Sequence, residues 1–421
     1  MYQAIIIADD FSSVTDCGVQ FATHGLATLA LMSLPERLPE GDVLSVDTDS
    51  RPLSPVTAYK KVYRTAAALR GTGCRRIYKS VDSTLRGNLG AEIDAVMDAL
   101  ELPVALIAPA FPHYGRTIVD GTHYLMGLPL AESSLARDPV SPMRESELGK
   151  ILRSQSKRTI AHIPLSVLRA GQTALHSVIA QHIEGGATLL TFDTETEQDL
   201  QTIADFAFAM PEALIVGSTG LAQYIAEGWK IGSGRAEMQA PRQTAPLLFA
   251  AASASPVTAK QIERLICCEN VCPVKMEPWE LAKTQGKAHL DAARQALLAG
   301  RDVVLYLDNT PAAREQSRQS AMTHGVLPEA LPGMIAQAMA AMTRELVETG
   351  LPGGLLMTGG DTAKAVCTAL KSDGMELLGE IEPGIPYGWL TGSRRLLGAT
   401  KAGAFGTPEA LITARNTMRS I

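Results

Sequence analysis

Residues 79–90 read KSVDSTLRGNLG, a stretch that combines cations, a carboxylate, hydroxyl groups and glycine. It follows the short run 76–78 and precedes apolar residues at helical spacing, so the pattern predicts a strand, a polar turn and a helix. Free N–H groups at a helix N-terminus favour a bound anion, and Lys79 and Arg86 add full positive charges. An ordinary strand-to-helix turn with solvated basic residues fits the same composition.

Length and composition limit the class of protein. A chain of 421 residues exceeds the usual size of one hydrophobic core, so we expect two domains. Hydrophobic residues make up 46% and charged residues 19%, which is typical of an α/β enzyme. A net charge of −6 without a long basic block argues against nucleic acid or a membrane surface as partner. The opening MYQAIIIADD has no basic leader, and no apolar run is long enough to span a membrane, so we expect a cytoplasmic protein.

The cysteines show neither a metal-binding nor a disulfide pattern. They form no C-x-x-C pair, and the cluster CCENVC at residues 267–272 fits no common zinc spacing. We therefore expect reduced thiols at Cys17, Cys74, Cys267, Cys268, Cys272 and Cys367.

In the first half, short apolar runs alternate with helical patterns, which predicts a mainly parallel sheet flanked by helices. The strands are predicted at residues 5–8, 27–32, 43–47, 76–78, 104–108, 160–163, 188–193 and 213–217. The first strand ends in Asp9 and Asp10, where open α/β sheets place their ligands, and the third runs into a polar turn with Arg51.

A long polar loop follows the strand at 104–108 and carries His113, Arg116, Asp120 and His123. Loops of this length are often functional. Each histidine taken alone is nevertheless more often a structural or surface residue than a catalyst, because a loop position defines no partner.

The composition changes at residues 232–246, where GSGRAEMQAPRQTAP lacks periodicity, and we place an interdomain linker there. The predicted domains are residues 1–231 and 247–421. The second half repeats the alternation, with strands at 247–252, 303–307 and 355–358. Its turns contain glycine and hydroxyl groups, which can approach phosphate oxygens closely, although such turns are common. The glycine-rich stretch 383–406 is predicted as an open loop.

Several catalytic motifs are absent from the sequence. It has no Walker A motif and no G-x-G-x-x-G, which argues against a P-loop NTPase and a Rossmann dehydrogenase. GSTG at residues 217–220 lacks the spacing of a nucleophile elbow, so a strand-to-helix turn is preferred there over a serine hydrolase.

The motifs together resemble the four-carbon acid sugar kinase family, a group of bacterial kinases for threonate, erythronate and 3-oxotetronate. The resemblance runs through most of the chain, and the family's K-x-x-D-S-T-x-R-G-N-x-G is long and specific. The matching stretches, in order, are IIADDFSSVTDCGVQFATHG, YKSVDSTLRGNLGAEIDA, APAFPHYGRTIVDGTHYLMGLPL, SASPVT, LLMTGGDTAKAV, EPGIPYGWLTG and TKAGAFG.

Three stretches depart from the family pattern. Ser12 and Ser13 replace Thr-Gly in A-D-D-x-T-G-A-x-D, Ala254 replaces the cysteine of G-S-C-S, and KAGAFG replaces K-S-G-G-F-G. The first departure lies close to the predicted sugar site, so these changes bear on substrate preference more than on the kinase reaction.

The resemblance implies an N-terminal domain that binds the acid sugar, a C-terminal domain that binds ATP, and transfer in the cleft between them. A sugar acid needs a cation for its carboxylate and many hydrogen-bond partners for its hydroxyls. The predicted substrate site comprises Asp9, Arg51, Lys79, Ser80, Val81, Asp82, Ser83, Thr84 and Arg86. The catalytic candidates are Asp9, Asp10 and Asp82. The predicted ATP contacts are Ser255, Thr358, Gly359, Gly360, Asp361 and Gly403.

Mg²⁺ is expected with ATP, because it neutralises polyphosphate oxygens, but the sequence identifies no metal ligands. We expect D-threonate as the substrate, with D-erythronate and 3-oxotetronate as alternatives, and a homo-oligomer is a further expectation. A phosphatase with Asp9 as nucleophile would need a carboxylate at position 11, where Phe11 stands. A non-catalytic sugar-acid sensor is the remaining alternative.

Overall fold

A computed structural model describes residues 2–137, 142–229, 244–392 and 395–421 of the chain. The chain divides into two compact units, Met1–Gly234 and Arg235–Ile421, here called the first and second units. Most of the linker predicted at 232–246 lies outside the described residues, so the linker stays a prediction. In the ranges just given, no helix combines the length and apolar character needed to cross a membrane.

The first unit is built on a parallel sheet with the order β2-β3-β1-β4-β11-β5-β10-β9. Its strands are β1 (Ala4–Ala8), β2 (Thr28–Leu31), β3 (Val43–Asp47), β4 (Ile77–Ser80), β5 (Val104–Ala108), β6 (Arg116–Val119), β7 (Thr122–Leu125), β8 (Leu128–Pro129), β9 (Ile160–Ile163), β10 (Leu189–Phe192) and β11 (Ala213–Gly217). Its helices are α1 (Phe11–Ala22), α2 (Pro55–Arg70), α3 (Leu89–Leu100), α4 (Leu148–Gln155), α5 (Leu165–Leu168), α6 (Gln172–Glu184), α7 (Glu197–Phe208) and α8 (Thr219–Gly228). The predicted α/β class is confirmed.

The order of the strands brings three loops of the first unit together. β1 pairs with β3 on one side and with β4 on the other, all in parallel. β3 and β4 therefore lie on opposite sides of the central strand. At such a switch point, the carboxyl ends of the strands form a crevice where open α/β sheets bind ligands. Residues 9–10, 48–51 and 81–88 all lie at this edge.

The prediction of a long loop at residues 109–130 is wrong in part, because this stretch contains a small antiparallel sheet with the order β6-β7-β8. Left-handed backbone at Gly115, Gly121 and Gly127 forms its turns. The strands between these turns have two to four residues each. They were not predicted because such short strands show no clear alternation in the sequence.

The second unit has the sheet order β13-β14-β12-β15-β18-β17-β16, in which β17 runs antiparallel to its neighbours. Its strands are β12 (Leu247–Ala251), β13 (Val271–Met276), β14 (Asp302–Leu307), β15 (Gly354–Thr358), β16 (Gly374–Glu380), β17 (Pro386–Leu390) and β18 (Leu396–Lys401). Its helices are α9 (Pro256–Leu265), α10 (Pro278–Thr284), α11 (Lys287–Leu298), α12 (Pro311–Thr323), α13 (Leu331–Glu348), α14 (Gly360–Ala369) and α15 (Ala410–Ser420).

The second unit repeats the strand arrangement of the first. β12 lies between β14 and β15, as β1 lies between β3 and β4, and β18 follows β15. The turns after β12, β15 and β18 therefore lie side by side at the carboxyl edge of this sheet.

The prediction of an open loop at residues 383–406 is wrong, because this stretch contains β17 and β18. Its glycines permit close packing of strands: a Cβ at Gly388 would lie 2.0 Å from the carbonyl oxygen of Glu376 on the neighbouring strand. The sequence shows the glycine but not the backbone that approaches it.

The C-terminal helix α15 is attached to the sheet through a buried carboxylate. Asp302, which is fully buried at the start of β14, accepts bonds from Arg415 Nε at 2.5 Å and Arg419 Nη2 at 2.7 Å. It also accepts from the backbone N–H of Leu247 at 2.8 Å, which ties β12 to the same point.

We predict that Asp302→Ala lowers the free energy of unfolding of the second unit by about 3 kcal/mol, because it leaves two arginines without their buried partner. Urea denaturation followed by the fluorescence of Trp279 and Trp389 measures this change. Glu315→Ala, which removes an exposed pair with Arg318 on α12, should cost about 0.5 kcal/mol or less. Equal effects of the two substitutions would contradict the assigned role of Asp302.

Candidate functional site

Two carboxylates and one guanidinium form the centre of the crevice in the first unit. Arg51 donates from Nε to Asp9 Oδ2 at 2.7 Å and from Nη2 to Asp9 Oδ1 at 2.9 Å, which makes a bidentate pair. Its Nη1 donates to Asp10, and its Nη2 also donates to Ser13 Oγ at 3.1 Å. Asp9 is 3% exposed, whereas the side chain of Asp10 is 27% exposed, so Asp10 is the carboxylate that a ligand reaches more easily.

Backbone contacts hold these side chains in register. Asp10 is the N-cap of α1, and its Oδ1 accepts from the N–H of Ser13 at 2.7 Å. The N–H of Ser50 donates to the carbonyl of Asp9 at 3.0 Å, which fixes the loop after β3 against the end of β1.

The motif at 79–90 packs against Arg51 and Asp9. Gly87 has φ +93°, and a Cβ there would lie 3.2 Å from Arg51 Cγ and 3.4 Å from Asp9 Oδ2. Asn88 donates to the carbonyls of Ser50 at 3.1 Å and Leu53 at 2.9 Å. Glycine and asparagine in this motif thus let the turn pack on the loop that carries Arg51.

A second bidentate pair lies within the motif. Arg86 donates from Nε to Asp82 Oδ2 at 2.6 Å and from Nη2 to Oδ1 at 3.2 Å, and Thr84 Oγ1 donates to Oδ2 at 2.6 Å. Burial raises the pKa of Asp82, but the charges of Arg86 and Arg51 outweigh burial and hold the pKa well below its usual value. Asp82 is therefore a carboxylate at neutral pH, and Arg86, with its side chain 31% exposed, remains accessible to a ligand.

The small sheet contributes a third guanidinium. Arg116 on β6 donates to Ser83 Oγ, and its field reaches Asp82. Burial lowers the pKa of the adjacent His123 to about 4, with a further contribution from Arg116, so this histidine is neutral at neutral pH. His123 fits the structural role expected for it, and His113 is exposed.

Three predicted substrate-binding residues have their side chains inside the protein. Lys79 is fully buried, and its Nζ lies 2.9 Å from Glu92 Oε2 on α3. Ser80 Oγ lies 3.2 Å from Cys17 Sγ, and Val81 belongs to the hydrophobic core.

The structure therefore brings six of the predicted residues together around the crevice: Asp9, Asp10, Arg51, Asp82, Ser83 and Arg86. Thr84 supports Asp82. Sequence reasoning did not identify Glu92, Ser13 and Asn88 as partners. Of these three residues, only Glu92 could have been noticed in the sequence. It is a charged residue beside Leu89 and Ile93, at the start of an otherwise apolar helix face.

The predicted ATP contacts of the second unit meet at the ends of β12, β15 and β18. A Cβ at Gly403 would lie 2.4 Å from Ser253 Oγ and 3.1 Å from Ser255 Cβ. Gly359 has φ +92°, its N–H donates to the carbonyl of Lys401 at 2.8 Å, and its own Cβ would lie 3.7 Å from Ser253 Cβ. Glycine at these positions thus lets the three turns pack closely and form one surface at the edge of the sheet.

Two helices begin at this surface. Ser255 is the N-cap of α9, and its Oγ accepts from the N–H of Val257 at 3.2 Å. α14 begins at Gly360 and has Asp361, which is exposed, in its first turn. Thr358 Oγ1 is buried and has no hydrogen-bond partner within the described residues. Helix N-termini with glycine suit phosphate groups, so these residues fit a nucleotide.

The donor set also bears on Mg²⁺. Across the part of the chain that the structure describes, no group of three or more His, Cys, Asp or Glu side chains could hold a metal ion. Mg²⁺ bound to ATP needs one or two carboxylates at most, because phosphates and water supply the other ligands. Asp361 is the carboxylate beside the glycine turn, so the site fits a nucleotide-borne Mg²⁺ rather than a metal cage of protein ligands.

Family models match both parts of the chain. Residues 4–225 match the family model described as a sugar-binding N-terminal domain, and residues 248–411 match a nucleotide-binding C-terminal domain. The two matches together cover both sets of candidate residues.

Similar full-length proteins are known. The chain is 31% identical to a protein named D-erythronate kinase from Heliobacterium modesticaldum, over 98% of this chain and 96% of that protein. It is 31% identical to a protein named D-threonate kinase from Salmonella typhimurium, over 97% of each chain. A solved structure of a protein from Salmonella typhimurium shares the fold, with a TM-score of 0.84 at 24% identity over 99% of this chain and 100% of its own.

Several of the motifs that suggested this resemblance contain residues that the structure brings together, and the family matches extend over nearly the whole chain. The chain therefore belongs to the four-carbon acid sugar kinase family, and the prediction of a sugar-acid kinase is confirmed.

Proposed function

We propose that the protein transfers the γ-phosphoryl group of ATP to D-threonate and forms 4-phospho-D-threonate. D-erythronate and 3-oxotetronate differ from this substrate by one stereocentre or one oxidation state, and they are the alternatives to be separated by experiment. The proposal rests on one observation above all, which is the mixture of guanidinium and carboxylate groups at the ends of β1, β3 and β4.

This mixture suits a sugar acid. The carboxylate of an aldonate needs a planar, charged donor, and its hydroxyls need acceptors. Arg86 and Arg51 supply the donors, and the carboxylates of Asp9, Asp10 and Asp82 supply the acceptors.

Asp10 is the proposed base. It is the more exposed member of the pair on Arg51, whereas both oxygens of Asp9 are occupied by the guanidinium. The O4 hydroxyl of the substrate attacks the γ-phosphorus, the bond from that phosphorus to the bridging oxygen of ADP breaks, and the O4 proton passes to Asp10. Asp9 fixes the position of Arg51 and thereby of the substrate.

ATP is proposed to bind on the turns of the second unit, with Ser255, Gly359, Gly360 and Gly403 at its phosphates and Thr358 beneath them. Mg²⁺, when it is bound to ATP, neutralises charge on the polyphosphate oxygens, and Asp361 is placed to hold it. The protein groups contribute alignment: the backbone N–H groups at the start of α14 orient the phosphate chain, and Ser255 before α9 contributes its hydroxyl.

We predict that ADP release requires both ATP and a four-carbon acid, with the highest kcat/KM for D-threonate. A coupled assay with D-threonate, D-erythronate, 3-oxotetronate and the neutral polyol threitol measures this preference. Threitol should give no turnover, because it lacks the carboxylate that the arginines bind. A best rate with another acid would contradict the substrate assignment, and no rate with any acid would contradict the proposed reaction.

We predict that Asp10→Asn lowers kcat by about 100-fold or more, because asparagine keeps the N-cap of α1 but cannot accept a proton. Asp9→Asn should raise the KM for the sugar acid instead, since it weakens the hold on Arg51. Steady-state kinetics with both substrates separates the two effects. Near wild-type turnover of Asp10→Asn would rule out the assigned base, and an unchanged KM of Asp9→Asn would contradict the role given to Asp9.

We predict that Gly403→Ala raises the KM for ATP about tenfold, because the added Cβ overlaps Ser253 Oγ and overpacking of this size costs at least ~1 kcal/mol. The KM for the sugar acid should stay nearly unchanged. Gly333→Ala on α13 is the matched control, since a Cβ there meets nothing within 4 Å. An equal rise in both KM values would argue against separate sites.

A further inference from the structure

A buried lysine lies beneath the last turn of the nucleotide surface. Lys401 ends β18 and is 2% exposed. Its Nζ donates to the carbonyls of Ala402 at 3.0 Å, Gly403 at 3.2 Å and Phe405 at 3.0 Å. Three carbonyls of one short turn therefore point at a single ammonium group.

Helix α9 closes the same turn from the other side. Thr258 Oγ1 accepts from Lys401 at 3.2 Å and donates to the carbonyl of Gly403 at 2.9 Å. Gln261 Nε2 donates to the carbonyls of Phe405, Gly406 and Thr407 at 3.1, 3.2 and 2.8 Å. The turn at 402–406 consequently has its carbonyls directed inward, toward Lys401 and α9.

The inward carbonyls determine where Gly403 lies. Its Cα faces Ser253 and Ser255, so closely that a Cβ would come within 2.4 Å of Ser253 Oγ. Ser253 is itself held by Asn309, whose Nδ2 donates to its carbonyl at 2.7 Å. The position of the turn therefore determines how closely Gly403 approaches the two serines.

We propose that Lys401 is a positioning residue of the nucleotide site, which folds the turn 402–406 around its ammonium group and adds a positive charge beneath the phosphate surface. This inference rests on the proposed ATP site. Lys401 acts through Gly403 and does not touch the nucleotide, because an ammonium has three hydrogens and four protein acceptors already surround it.

Lysine is required at this position by its geometry. A methionine would fill the same volume but would remove the ammonium donor from three inward carbonyls, which would keep only their bonds from Thr258, Gln261 and the N–H of Phe405. Lost hydrogen bonds are costly in a buried turn. The planar fork of arginine does not match acceptors that converge on one point.

The charge of Lys401 responds to pH. Burial lowers its pKa to about 8, an effect that Glu382 partly offsets. The pKa of Lys401 is lower in the folded protein than its ordinary 10.5. The free energy of unfolding therefore rises as the pH increases from about 8 to 10.5. Deprotonation of Lys401 therefore weakens nucleotide binding without unfolding the protein. The other charged side chains on the surrounding elements are Lys260, Glu263 and Arg264 on α9, Asp361 and Lys364 on α14, and Glu409 before α15.

The test is calorimetric titration of the full-length protein with Mg·ADP and, separately, with D-threonate. Lys401→Met should raise the Kd for Mg·ADP by about tenfold and change the Kd for D-threonate less than twofold. Lys283→Met on α10 is the control, because it removes an exposed lysine of the same unit. Unchanged Mg·ADP binding by Lys401→Met would overturn the inference.

A pH series distinguishes a positioning charge from simple packing. The Kd of the wild type for Mg·ADP should rise between pH 7.5 and pH 9.5, around the pKa of about 8, and Lys401→Met should lack this rise. The same rise in both proteins, or no rise in the wild type, would overturn the charge assigned to Lys401.

If Lys401→Met does not fold, Thr258→Val is decisive, because it keeps the volume and removes the hydroxyl that joins Lys401 to Gly403. It should raise the Kd for Mg·ADP about threefold, and an unchanged Kd would overturn the inference. A wild type that binds no nucleotide would instead end the proposed ATP site, and this inference with it.

Discussion

The bidentate pair between Arg51 and Asp9 is the interaction on which the first site depends. It joins the loop after β3 to the end of β1, and Gly87 of the turn after β4 packs directly on both side chains. Asp9 is almost fully buried, so removal of either partner would leave a charge in a place that cannot solvate it. The pair therefore fixes the geometry of Asp10, which shares the same guanidinium.

The two units share one strand arrangement but carry different residues at the carboxyl edge of the sheet. In each, the first strand lies between the third and the fourth, and the carboxyl ends of these strands present the candidate residues. The first unit places ion pairs at this edge, which suits a ligand with a carboxylate and hydroxyls. The second places glycine and serine there, which lets backbone N–H groups approach phosphate. The fold provides the position of each site, and the loop residues provide its chemistry.

Much of this could be predicted from the sequence, because the relevant signals are local. Apolar runs identify buried strands, and Asp9, Asp10, Arg51 and the motif at 79–90 follow such runs directly. Partners that are distant in sequence could not be predicted. Glu92 neutralises Lys79 only because α3 returns over β4, and this pairing removes Lys79 from the surface where we expected it to bind substrate.

Glycine was the least reliable signal. In the stretch 383–406 it indicated an open loop, whereas Gly388 and Gly398 lie inside strands where neighbouring groups leave no room for a Cβ. In the same stretch, the burial of Lys401 beneath the turn 402–406 could not be predicted, because it depends on contacts with α9, which lies more than 100 residues away in the sequence.

The most direct test of the account is a crystal structure of the protein with D-threonate bound. We expect the carboxylate of the ligand within about 3 Å of a guanidinium of Arg51, Arg86 or Arg116, with a hydroxyl on Asp10. Clear density for the ligand at a place that touches none of these four residues would contradict the account.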